Sequence, residues 1–182
     1  CAMSEPAGAI RAFVAVLPSE AAALEMERLL TRLRPLARCR WVTRAQLHVT
    51  LRFLGELPPA VVERVREALA SVAVQPFDIT LNRAGAFPSL DRPRAIWLAG
   101  DRGAAELSAL AGRVDEALSG AGIPRETRPF RPHLTLARSD GSSPPPVLRR
   151  ALEHVPSFVW RCDAFALMRS RLMPQGAVYT KL

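Results

Sequence analysis

Apolar and polar positions along this chain repeat at two periods, two residues in some stretches and three to four in others, and the switches between them divide it into strands and helices. Short stretches rich in aliphatic residues predict strands over residues 11–17, 46–54, 77–83, 94–99, 131–137, 157–162, 164–169 and 177–181. Apolar residues at helical spacing predict a helix over 20–33, opened by Pro18-Ser19. A second helix starts at Pro58-Pro59 and runs to about residue 73, with Val61, Val65, Ala68, Leu69 and Val72 as one stripe. A third covers 104–119 and ends at Gly120-Ala121-Gly122, and a short fourth follows the loop Ser142-Ser143-Pro144-Pro145-Pro146 and ends at His154. Strands and helices so mixed imply an α+β fold, with helices packed on β-sheet.

Composition narrows this picture. With 182 residues, 49% of them apolar, the chain can bury a sizeable core, and residues 3–182 are expected to form a single domain of two lobes. The leading Cys1-Ala2 reads as a remnant before a natural start at Met3. No apolar run reaches the ~18 residues needed to cross a bilayer and no charged-then-apolar leader opens the sequence, so a soluble cytoplasmic protein with no membrane contact is expected. Cys1, Cys39 and Cys162 are far apart with no CxxC spacing, which argues against a disulfide framework or a thiolate metal site. The net charge of +8 comes almost entirely from arginine. Guanidinium forks suit phosphate, but these arginines are scattered, and a compositional bias would look the same.

A short repeat carries more weight. The chain reads Leu47-His48-Val49-Thr50-Leu51 and later Pro132-His133-Leu134-Thr135-Leu136. Two of the three histidines occupy the same place in it. In a strand, alternate side chains share a face, so His48 and Thr50, or His133 and Thr135, present a polar pair on one side and aliphatics on the other. A polar pair backed by core residues suits the lining of a cleft.

Two imidazoles flanking a phosphorus atom could open a 2′,3′-cyclic phosphate. Water must attack in line with the departing ribose oxygen, so a base and an acid are needed on opposite sides. Histidine serves both roles, since its ordinary pKa of about 6.5 allows one ring to be neutral and the other charged near neutrality. Thr50 and Thr135 can donate hydrogen bonds to non-bridging oxygens. Arg131 and Arg138, which bracket the second motif, could clamp the phosphate. No cofactor is implied, and no metal, because two histidines lack the further ligands of a metal site and no carboxylate cluster adjoins them.

Arg40-Trp41-Val42, then His48-Val49-Thr50-Leu51-Arg52-Phe53-Leu54-Gly55-Glu56, and later Arg131-Pro132-His133-Leu134-Thr135-Leu136-Ala137-Arg138 resemble the two-histidine (2H) phosphoesterase superfamily, more narrowly the RNA 2′,3′-cyclic phosphodiesterases historically called 2′-5′ RNA ligases. The stretch 170–179, with Gly176, resembles the family's C-terminal strands. The resemblance implies a bilobal α+β fold of two antiparallel-sheet lobes with outer helices, pseudo-twofold symmetry and a central cleft. It also implies that His48 donates the proton to the leaving 3′ oxygen and that His133 is the base for water. A 2′-phosphate would be left on an RNA end, tRNA fragments among the candidates, and the simplest expectation is a monomer.

Duller roles stand beside these. Phe53 and Phe130 could stack on a base, although core packing is the commoner fate of a phenylalanine. Trp41, Trp97 and Trp160 are assigned to core or lobe contacts, His154 to a helix-end cap and Asp115-Glu116 to a solvated face. Two other functions are consistent with the charge and motifs: a non-catalytic RNA-binding module, which needs no paired histidines, and ligation, which uses the same acid and base in reverse.

Overall fold

A computed structural model describes residues 8–182, so Cys1-Ala2-Met3 lie outside the described residues. Strand β1 (Ile10–Val16) leads into helix α1 (Glu20–Leu33). The Ser19 hydroxyl accepts from the Ala22 amide at the start of α1, Glu20 lies in its first turn, and Ala22, Met26, Leu29, Leu30 and Leu33 form its buried face. Helix α2 (Pro59–Ala70) buries Val62, Val65 and Leu69. Val62 was absent from the stripe read in the sequence, and Val72 lies beyond the helix end. Helix α3 (Ala104–Gly120) covers the span expected of it, and α4 (Pro146–Leu152) stops short of the expected end at His154.

The remaining strands are β2 (Arg40–Trp41), β3 (Val49–Leu57), β4 (Phe77–Leu81), β5 (Arg83–Phe87), β6 (Ala95–Ala99), β7 (Leu134–Arg138), β8 (Phe158–Cys162), β9 (Ala166–Met173) and β10 (Gly176–Lys181). The sequence pattern put both histidines inside strands, but each instead lies immediately before its strand. Residues 44–46 form a single helical turn held by reciprocal Thr43 and Gln46 contacts, and β3 starts only at Val49. Pro132, which has no N–H to give a ladder, precedes β7. Strand β5 was missed because residues 77–83 read as one strand, yet the chain changes partner there: β4 pairs with β8 and β5 pairs with β6.

The main sheet is antiparallel in the order β10-β9-β1-β3-β7-β6-β5, with β2 also on β7. The β4–β8 ribbon stands apart. The expected two lobes are therefore two wings of one continuous sheet, and the join is narrow: β3 meets β7 at one ladder pair, Val49 opposite Leu134. An antiparallel pair has local twofold symmetry, so the two histidine motifs are brought side by side, head to tail. Alternation then sorts their side chains. Val49, Leu51, Leu134 and Leu136 are buried in the core, whereas His48, Thr50, His133 and Thr135 are half-buried. Among the described residues, no helix is long and apolar enough to cross a membrane.

Candidate active site

Each imidazole is held in the same way. His48 Nδ1–H donates to the Gln46 carbonyl at 2.7 Å, and His133 Nδ1–H donates to the Arg131 carbonyl at 2.7 Å, both two residues upstream. That contact fixes the tautomer of the neutral ring and leaves Nε2 as its reactive nitrogen. At His48, Nε2 lies 3.0 Å from the Thr50 hydroxyl, which donates to the neutral ring. Gln46 is itself tied down: its side-chain amide donates to the Ala177 carbonyl at 2.6 Å and its Oε1 accepts from the Thr43 amide at 2.9 Å. Strand β10 thus braces the turn that aims His48.

Aromatic rings flank both histidines. Phe13 lies 4.8 Å from the His48 ring, and Tyr179 meets it edge-on at 5.3 Å. Phe87 meets His133 edge-on at 5.1 Å and packs on Trp97. The apolar walls strip water from both imidazoles, so burial pushes both pKa values below the ordinary histidine value, against the opposing pull of the Gln46 and Arg131 carbonyls. The positive charge of Arg138 adds to the depression at both rings, and that of His133 adds to it at His48. Burial also pushes the Tyr179 hydroxyl up.

A cleft of about 860 Å³ contains His48, Thr50, His133, Thr135, Arg138 and Phe53 on its lining, six of the eight site residues read from the sequence. The other two, Phe130 and Arg131, line an adjoining hollow of about 440 Å³ that shares Thr50, Phe53 and His133 with the cleft. Phe53 is 46% exposed, too open for a purely core role, whereas Phe130 also packs against the core. Sequence reasoning missed Phe13, Tyr179 and Phe87, because the strand pairings that deliver them to the histidines join distant parts of the chain. The only available signal was that Tyr179 is the sole tyrosine. Among the described residues, no three His, Cys, Asp or Glu side chains gather as a metal site.

Other expectations divide. Trp160 is buried, and Trp41 packs on the core with its indole N–H donating to the Ala37 carbonyl at 3.1 Å. His154 is exposed just past α4. Asp115 corrects the solvated-face reading: it is largely buried and accepts from the buried Arg52 of β3, whose other terminal nitrogen donates to the Pro124 carbonyl.

Fold and site together define a protein of two similar wings with paired imidazoles at their junction. The chain belongs to the 2′-5′ RNA ligase superfamily, whose sequence pattern matches residues 18–172. It is 38% identical over 186 residues to an RNA 2′,3′-cyclic phosphodiesterase of Thermus thermophilus, an alignment covering 95% of this chain and 88% of that one. Its identity to the Archaeoglobus fulgidus protein of the same name is 33% over 176 residues, with 95% and 98% covered. In structure it resembles Escherichia coli LigT complexed with 3′-AMP, with a TM-score of 0.79, 25% identity and 96% and 95% of the two chains covered.

Proposed function

We propose that this protein hydrolyses 2′,3′-cyclic phosphate ends of RNA to 2′-phosphomonoesters, with its two histidines as acid and base. The observation that carries the reading is the matched pair of Nδ1–carbonyl contacts, which leaves Nε2 as the reactive nitrogen of each ring, with both histidines on the lining of one cleft. His133 Nε2 takes a proton from water as its oxygen bonds to phosphorus. The bond from phosphorus to O3′ breaks, and His48 Nε2–H gives its proton to that oxygen. Solvent exchange then restores the starting protonation states. Depressed pKa values suit His133, which must be neutral. His48 must be charged, and a bound phosphate anion beside it favours that form. The Thr50 and Thr135 hydroxyls donate to the non-bridging oxygens, and Arg138 balances their growing charge. The hollow beside His133, with Phe53, Phe130 and Arg131, receives the terminal base and ribose.

Product analysis tests this directly. An RNA ending in a 2′,3′-cyclic phosphate, incubated with the protein and excess chelator, is expected to yield a 2′-phosphate. A 3′-phosphate, or turnover that returns only on adding a divalent metal, would overturn the mechanism.

A further inference from the structure

Five arginines, Arg11, Arg34, Arg38, Arg40 and Arg138, line the cleft, and among the described residues no carboxylate does. Arg11 is engaged elsewhere, 3.8 Å from Glu56 and stacked over the Phe53 ring. Arg34 donates to the Val42 carbonyl at 3.1 Å. Arg38, Arg40 and Arg138 have no carboxylate within ion-pair distance among the described residues. Two of them, Arg40 and Arg138, are direct cross-strand partners of β2 and β7. Like charges directly opposite each other weaken a strand pair, and β2 is only two residues long, so its pairing is poorly placed to absorb that cost unless an anion lies between them.

The wall bearing Arg38 and Arg40 is firmly built. The Arg34 contact to Val42 spans it, the Trp41 indole N–H donates to the Ala37 carbonyl at 3.1 Å, and the Val42 amide donates to the Leu136 carbonyl at 2.9 Å. Three guanidiniums without a carboxylate partner among the described residues, two of them carried on this wall, present more positive charge than the single negative charge of one cyclic phosphate needs, and Arg138 already lies close enough to act on both histidines. We infer that the 34–41 wall is a track for the phosphodiesters on the 5′ side of the reacting end, gripped by Arg38 and Arg40, and that it selects RNA strands over cyclic mononucleotides. The inference rests on the hydrolytic reading above and extends it to what lies upstream of the reacting nucleotide.

The test compares adenosine 2′,3′-cyclic phosphate with a hexanucleotide ending in the same group, using wild type, the double variant Arg38→Ala/Arg40→Ala and the control Arg161→Ala, whose position is outside the cleft. Arg38 and Arg40 are exposed, and loss of Arg40 relieves its opposition to Arg138, so the double variant should melt at or slightly above the wild-type temperature. Its KM for the hexanucleotide should rise about tenfold with kcat retained, which erases the preference for the longer substrate. Binding of a hexanucleotide ending in a 2′-phosphate, followed by fluorescence anisotropy, should lose about 0.7 of log–log salt slope for each arginine removed, while Arg161→Ala keeps the wild-type slope. Unchanged oligonucleotide preference and slope, or an equal loss on both substrates, would overturn the track. If neither substrate is turned over but binding still shows the arginine-dependent slope, the hydrolytic reading fails and the track stands.

Discussion

His48 and His133 are oriented by backbone carbonyls, so replacing either ring removes chemistry with little effect on the scaffold. His48→Ala and His133→Ala should each lower kcat by roughly 10² to 10⁴, the usual worth of a general acid or base, with melting temperatures close to wild type. Their effects should not multiply in the double variant, because both act in one step. A single variant with near-full turnover would remove that residue from the mechanism. The depressed pKa values give a second handle. The kcat/KM profile reports the free enzyme, where burial holds both rings below the ordinary value, so both limbs should fall on the acid side of about pH 6.5. The kcat profile, read with phosphate bound, should lie further to the alkaline side. Coincident profiles would mean that the substrate anion does not act on the rings.

At the scale of elements, the alternation of side chains was legible because it depends on neighbours in sequence: Val49 and Leu51 inward, His48 and Thr50 toward the cleft. What could not be read were partnerships across the chain. Arg52 and Asp115, 63 positions apart, join β3 to α3, and neither residue announces the other. Asp115→Ala leaves a guanidinium in a largely buried position with its Nε already unpartnered, so a loss of about 3–5 kcal/mol is expected in denaturant melts. Adding Arg52→Met should recover much of it; a double variant as unstable as the single would show that the pair is not the source. Gly85 makes a second such link. A Cβ there would run into the Trp97 ring, which packs on Phe87 against His133. Gly85→Ala should therefore cost about 1–3 kcal/mol and also lower kcat, whereas an effect on stability alone would uncouple Trp97 from the site.

Across the whole molecule, the two-lobe plan was expected from chain length and from the family resemblance that the paired motifs carry. The continuity of the sheet did not follow, since it turns on one backbone pair that no side-chain pattern encodes. A global consequence of the site is pH-dependent stability. A histidine whose folded pKa lies below its unfolded value binds fewer protons in the native state, so its contribution is complete above about pH 6.5 and is lost as pH falls through the depressed folded values. Thermal melts from pH 7.5 down to 5 should show a decline that the double His48→Ala/His133→Ala variant largely lacks. An identical decline in that variant would assign the loss to other groups.

The pair of Val49 and Leu134 also sets the histidines at the seam between the wings. Each residue is the immediate successor of a histidine. If one wing rocks against the other about this join, displacement grows with distance from it, as along a lever arm. Positions on the rim, Arg38 just before β2 and the β9–β10 tip, would then move more than the imidazoles beside the join. Such rocking strains the buried Arg52–Asp115 pair and the β2–β7 pairing before it alters the spacing of the two imidazoles beside the join.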